Sequence, residues 1–88
     1  MASKKHLKRD LNYVMGDIIE AALIYQMAHP EADKQKSEEI VDGAIAAFDE
    51  LNAKINERKV ENKGKQLKEV NKEMETKAKS LIEKLNTL

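Results

Sequence analysis

The chain has 88 residues, which is enough for one small domain with a modest core and too few for two. A hydrophobic share of 41% argues against disorder, and the absence of cysteine excludes disulfides and thiolate metal sites. The net charge is zero but unevenly placed: residues 1–10 hold four cations and one anion (+3), residues 37–50 five anions and no cation (−5), and residues 51–88 ten cations and six anions (+4). Oppositely charged helices packed side by side explain this distribution most simply.

The first predicted element is a helix over residues 4–28. Pro30 ends it, because proline disfavours a helical conformation at the residue before it and has no N–H to donate. Apolar residues recur at spacings of three and four and place one face of this helix in the core. These residues are Leu7, Leu11, Val14, Ile18, Ala21, Ala22 and Tyr25.

The second predicted element is a helix over residues 37–56, and its start has two candidates. Pro30 suits a first helical position and is followed by acidic residues, whereas Ser37 precedes two glutamates and suits a helix cap. We assign residues 29–36 to the connection. The predicted core positions of this helix are Ile40, Val41, Ala44, Ala47, Phe48, Leu51 and Ile55.

The apolar pattern breaks after Ile55 and resumes in a different phase, which predicts a turn and a third helix over residues 63–86. One long helix with a stutter is the alternative. Charged pairs four residues apart support the third helix locally: Glu61–Lys65, Glu73–Lys77 and Glu75–Lys79. Its predicted core positions are Leu67, Val70, Met74, Ala78, Leu81, Leu85 and Leu88.

Together the three elements predict an all-α, up-down-up three-helix bundle that forms a single domain over residues 1–88. The most apolar stretch, residues 18–28, contains Glu20 and Gln26 and is too short to span a bilayer. The amino-terminal ten residues also lack the apolar run of a signal peptide. We therefore expect a cytoplasmic protein with no membrane partner.

No pattern in the sequence indicates catalysis, a cofactor or a metal site. His6 and His29 lie far apart on helix one, and His29 with Glu31 and Asp33 is better explained as a charged helix start than as a cation site. The serines are not placed beside a base, and the three glycines are isolated, so no phosphate-binding loop is present. We expect a protein that is not an enzyme.

A lysine-rich side of the third helix is the candidate for nucleic-acid binding. Glutamates are interleaved with its lysines, the helix has no aromatic residue to stack on bases, and the chain has only two arginines. A solvated face is the simpler explanation, so nucleic acid is not the expected partner. The lysines concerned are Lys65, Lys68, Lys72 and Lys79.

Helix one has an apolar character that a three-helix bundle does not explain. A surface helix is apolar on one side only, whereas this helix also carries apolar residues opposite its core face. Such a strip on a small protein indicates an interaction surface. The predicted interface residues are Tyr13, Gly16, Ile19, Glu20, Leu23, Ile24 and Met27.

Three covers for this strip are possible: a second copy of the chain, a different helical protein, or the connection over residues 29–36 folding back. A two-fold dimer through helix one is the preferred hypothesis. The sequence thus predicts a non-enzymatic bundle that acts through protein contacts. A nucleic-acid-associated regulator using helix three and a weak carrier of a small ligand are the alternatives.

The amino-terminal pattern KKHLKRDLNYVMGDIIEA, with a lysine-rich turn followed by Asn12-Tyr13, resembles small helical proteins of unknown function from Bacteroidetes. The resemblance covers about the first 25 residues and the general helical plan. It implies a helical fold, and it carries over no functional residue.

Overall fold

The computed structural model describes residues 4–88 as three helices: α1 (Lys4–Ala28), α2 (Gln35–Asn56) and α3 (Lys63–Asn86). Each helix packs against the other two, and residues 4–88 contain no strand. The particle is 50 Å long and 20 × 17 Å across, so the helices run along one axis. The predicted all-α three-helix bundle is confirmed, while residues 1–3 lie outside the described part of the chain.

The second helix begins at Gln35, which is neither of the two starts that the sequence offered. The Asp33 carboxylate accepts the backbone N–H of Gln35 at 2.9 Å and so satisfies a donor at the start of α2. Pro30 lies in the connection instead of opening the helix. The predicted start at Ser37 was therefore two residues late.

Ser37 has a structural role different from the predicted helix cap. It lies inside the first turn of α2 and is fully buried. Its Oγ donates to the backbone carbonyl of Lys34 at 3.0 Å and accepts a hydrogen bond from Gln26 Nε2 at 2.8 Å. Because both capacities of the hydroxyl are used, its burial costs little, and it ties α1 to the start of α2.

The chain turns between α2 and α3 as the break in the apolar pattern predicted, so the single-helix alternative is wrong. Asn62 caps α3, its side-chain oxygen accepting the N–H of Lys65 at 3.1 Å. Lys63 reaches back, and its Nζ donates to the carbonyls of Ile55 and Glu57 at 2.8 and 2.6 Å. A cation placed at the negative end of α2 stabilises that terminus.

Aliphatic side chains from all three helices form one continuous core. Each helix contributes five apolar residues that are less than 9% exposed, spaced by three and four positions along the chain. Val14, Ile19, Val41, Phe48 and Leu85 pack against its edge. The buried residues are Leu7, Leu11, Met15, Ile18 and Ala22 of α1, Ile40, Ala44, Ala47, Leu51 and Ile55 of α2, and Leu67, Val70, Met74, Ala78 and Leu81 of α3.

The core face of α1 is rotated from its predicted position. Met15, which lies outside the predicted core positions, is 1% exposed, whereas the predicted core residue Ala21 is exposed. Val14 and Tyr25 are only partly buried. The reason is that α1 packs more extensively against α2 than against α3. The α2 side of the helix therefore carries the more deeply buried residues.

Ion pairs join α2 to α3 instead of forming along α3. Glu50 accepts from Lys77 at 2.7 Å, and Lys54 contacts Glu73 at 2.8 Å and Glu50 at 3.5 Å. The sequence predicted that Glu73 and Lys77 would pair with each other within α3, and both instead pair with α2. The other predicted pairs, Glu61–Lys65 and Glu75–Lys79, are not among the ion pairs of the described residues.

Candidate interaction surface

A strip of apolar side chains runs along the outer side of α1, opposite the core. Its large residues are well exposed: Met27 is 80%, Tyr13 65%, Ile24 56% and Leu23 45% exposed. Intervals of three or four residues separate Tyr13, Gly16, Glu20, Leu23 and Met27, which places them on one side of the helix with Ile24 beside Leu23. We call this set the outer strip; it comprises Tyr13, Gly16, Glu20, Leu23, Ile24 and Met27.

Two grooves beside α1 also carry apolar side chains, and the exposed Asp17 lines the second of them. Ile45 of α2, 46% exposed, lines the first groove with Gly16 and Ile19. Ile82 of α3, also 46% exposed, lines the second groove with Ala21. The large hydrophobic residues that are exposed in the described part of the chain therefore all lie on α1 or along its grooves. We call the outer strip with Ile19, Ile45 and Ile82 the α1 face.

The sequence does not identify Ile45 and Ile82 as part of this surface. Each residue lies next to a core position of its own helix, and an apolar residue there does not by itself indicate an interaction surface. The two residues share one feature that the sequence shows. Each lies one helical turn before a half-buried apolar residue, which is Phe48 for Ile45 and Leu85 for Ile82. The predicted residue Ile19, conversely, is half-buried and packs against the core edge.

Two residues of the outer strip are not apolar side chains: Gly16 leaves a depression in the helix surface, and Glu20 carries a negative charge. A methyl group added at Gly16 would meet no other atom within 4 Å, so this position is an open notch in the helix surface. Glu20 is exposed and is the charged residue of the strip. The strip can therefore accept a protruding side chain at Gly16, and it carries one carboxylate that a partner must leave hydrated or neutralise.

The connection between α1 and α2 does not cover the outer strip. It turns over residues 29–32, where the Ala32 N–H donates to the His29 carbonyl at 3.0 Å, and it packs toward the end of α3. Met27, the strip residue closest to it, remains 80% exposed. Cover by the chain's own connection, one of the three expected arrangements, is not observed.

The two ends of the bundle carry opposite charge. Because α2 runs opposite to α1, residues 29–42 lie at the end far from the start of α1. Residues 4–10 hold four cations and one anion, for a net charge of +3, whereas residues 29–42 hold five anions and two cations, for a net charge of −3. Many of these side chains are exposed, including Lys4, Lys5, Glu31 and Glu38. The α1 face thus runs from a basic end to an acidic end.

The lysines predicted as a weak nucleic-acid candidate lie on the outer side of α3. All four are exposed, and none belongs to an ion pair found among residues 4–88. Exposed glutamates, Glu69 and Glu75, stand beside them. The positions concerned are Lys65, Lys68, Lys72 and Lys79.

The side chain of His29 makes local contacts at the end of α1. His29 stacks on Tyr25, with ring centroids 4.3 Å apart, and its Nδ1 lies 3.1 Å from the Tyr25 carbonyl. Residues 4–88 contain no group of three or more His, Asp or Glu side chains placed to hold a metal ion. Over the same range, the helices lack the combined length and apolar character needed to cross a bilayer.

Comparison with known proteins identifies no relative for this chain. No family model, no curated protein and no solved structure matches it.

Proposed function

We propose that the protein is a non-enzymatic helical bundle that acts through protein contacts, and that a second copy of the chain covers its α1 face. The observation that carries the proposal is the concentration of exposed apolar residues on that one side. Contiguous apolar patches on a small protein mark interaction sites. The opposite side of the bundle, by contrast, carries the Glu50–Lys77 and Lys54–Glu73 ion pairs and exposed lysines.

The energy available from the α1 face supports a dimer of moderate affinity. Leu23, Ile24 and Met27 are between 45% and 80% exposed. Complete burial of one such side chain contributes about 1.5–3 kcal/mol, so covering the exposed part of three from each chain contributes roughly 5–10 kcal/mol. Tyr13 and the groove residues add to this. Association costs about 4–15 kcal/mol. At the lower end of that cost, these six side chains alone leave a net of about −6 kcal/mol, which corresponds to a dissociation constant of roughly 40 µM.

The proposal is tested by the solution mass of the unmodified chain and of a Leu23→Glu/Met27→Glu variant. Sedimentation between about 1 and 500 µM covers the expected dissociation constant. The unmodified chain should change from monomer to dimer over this range. The variant should stay monomeric and keep the same helical content, because both positions are exposed in the single chain.

The matched control is Ala53→Glu/Thr76→Glu, which adds the same charge at exposed positions on the other helices. This control should dimerise like the unmodified chain. An unmodified chain that remains monomeric at about 100 µM would contradict the proposal. A loss of dimer in the control as well as in the variant would place the contact elsewhere.

The non-enzymatic part of the proposal rests on the surroundings of Ser37 and on the open, apolar grooves beside α1. Ser37 is buried between Gln26 and the Lys34 carbonyl, and neither group is a base that would take its proton. The grooves beside α1 are open and lined mainly by apolar side chains. A cytoplasmic location, also part of the proposal, is compatible with a sequence free of cysteine.

A further inference from the structure

We infer that two copies pack their α1 helices antiparallel, so that the basic end of each copy faces the acidic end of the other. This arrangement rests on the proposed self-association through the α1 face and adds its direction and register. Two-fold symmetry allows either direction for a pair of helices. The shape of the outer strip and the charge at the two ends of the bundle favour the antiparallel direction over the parallel one.

Shape favours one antiparallel register. With α1 of each copy running in opposite directions, Leu23 of one copy lies over the notch at Gly16 of its partner. Ile24 then lies beside Tyr13 of the other copy, because both residues project from the same edge of the outer strip at about 100° per residue. A side chain from the partner can enter at Gly16, since nothing lies within 4 Å of a Cβ placed there.

Charge favours the same direction. In a parallel pair, the net +3 of residues 4–10 would face the same segment of the partner, and the net −3 of residues 29–42 would also face itself. In the antiparallel pair, Lys5 of one copy lies near the carboxyl-terminal end of the partner's α1, where the connection that carries Glu31 and Asp33 begins. Opposite charges across an interface select the docking orientation more strongly than they raise affinity.

Glu20 does not decide the direction. It lies at the middle of the outer strip, so the two Glu20 carboxylates come close to each other in either arrangement. Their mutual repulsion weakens the dimer, and it is screened by salt. Asp17 is also exposed and lines the second groove of the α1 face, so the salt dependence that reports on the two ends is measured in the Asp17→Asn/Glu20→Gln variant.

The chain has no cysteine, so a disulfide between two chains can form only at cysteines that are introduced. Single introduced cysteines therefore show whether the two α1 helices run parallel or antiparallel. Tyr13→Cys and Ile24→Cys chains are mixed in equal amounts and oxidised, and the disulfide-linked products are identified by mass spectrometry. The antiparallel register predicts mainly the mixed product, because like cysteines are about 16 Å apart along the helix and a disulfide needs Cα atoms within about 7 Å. The exposed pair Ala53→Cys with Thr76→Cys is the control and should give no product above random collision.

The salt experiment is independent of these cysteines. For Asp17→Asn/Glu20→Gln, raising the salt from about 0.05 to 0.5 M should weaken the dimer several-fold, because salt screens attraction between the basic and acidic ends. Products linking like cysteines, or a dimer that tightens with salt, would overturn the antiparallel arrangement while leaving self-association intact. A mixed disulfide no more abundant than the control would overturn it too. A monomeric unmodified chain would overturn both inferences.

Discussion

At the scale of single residues, the glycines of α1 and α2 occupy opposite environments. Gly16 is exposed, and a Cβ added there meets nothing within 4 Å. A Cβ added at Gly43 would lie 3.1 Å from Cδ2 of Leu81, which is tighter than ordinary contact. Gly43 therefore permits the close approach of α2 and α3, whereas Gly16 leaves a notch on the surface.

Substitution of these glycines by alanine should separate the two roles. Gly16→Ala should raise the free energy of unfolding by about 0.5–1 kcal/mol, because alanine loses less backbone entropy within a helix. Gly43→Ala should gain less, since Leu81 must move by a few tenths of an ångström. Thermal melts at about 1 µM, where the proposed dimer is dissociated, measure both changes. Equal gains at the two positions would contradict the close contact at Gly43.

At the scale of helices, the charged contact between α2 and α3 depends on pH. The hydrogen bond and the charge of Lys77 hold the pKa of Glu50 below its ordinary value of 4.5, with a smaller contribution from Lys54. The hydrogen bond from Lys54 to Glu73 raises the pKa of Lys54 above its ordinary value of 10.5. Both shifts mean that the charged forms are favoured in the folded protein.

The lowered pKa of Glu50 predicts a loss of stability on acidification. The stabilisation by Glu50 is present above its unfolded pKa of 4.5, and it is lost as the pH falls through the lower folded value. A Glu50→Gln variant should therefore be less stable than the unmodified chain at about pH 7, and the difference should vanish in acid. Melting temperatures measured across this pH range test the sign.

Glu83→Gln is the control for this measurement, because Glu83 is exposed and belongs to no ion pair found among residues 4–88. Its difference from the unmodified chain should be smaller at neutral pH. A Glu50→Gln difference that does not shrink in acid would show that the contact acts through packing and not through charge.

The lysine-rich side of α3 should not bind nucleic acid with useful affinity. Its four lysines are accompanied by exposed glutamates, and the helix has no aromatic residue for stacking. We expect no mobility shift with generic duplex or single-stranded DNA or RNA at micromolar protein near physiological salt. A shift that weakens steeply with salt and is lost in Lys65→Glu/Lys68→Glu/Lys72→Glu would establish the alternative function.

At the scale of the whole molecule, the bundle is asymmetric in two directions. Across its width, the apolar α1 face opposes a charged surface on α2 and α3. Along its length, a basic end opposes an acidic end. The first asymmetry supplies the affinity of the proposed dimer, and the second supplies its direction. A bundle with evenly mixed charges would offer the same apolar area without a preferred orientation.

The helices and their approximate bounds follow from local signals along the chain. Pro30 and the change of apolar phase after Ile55 are local signals, and helix ends depend on neighbouring residues along the chain. The outer strip was also visible, because Leu23, Ile24 and Met27 repeat opposite the core pattern at helical spacing. Local signals did not predict the start of α2. The Asp33 carboxylate accepts the N–H of Gln35, and the helix begins there, two residues before the predicted start at Ser37.

Which sides of the helices meet depends on contacts between residues that are far apart in the sequence. The rotation of α1 that buries Met15 and exposes Ala21 follows from its unequal packing against α2 and α3. The pairing of Glu50 with Lys77 likewise depends on how two helices align over 27 residues of sequence. Ile45 and Ile82 join the α1 face for the same reason. Helical period sets which residues share a side, but packing between helices sets what that side touches.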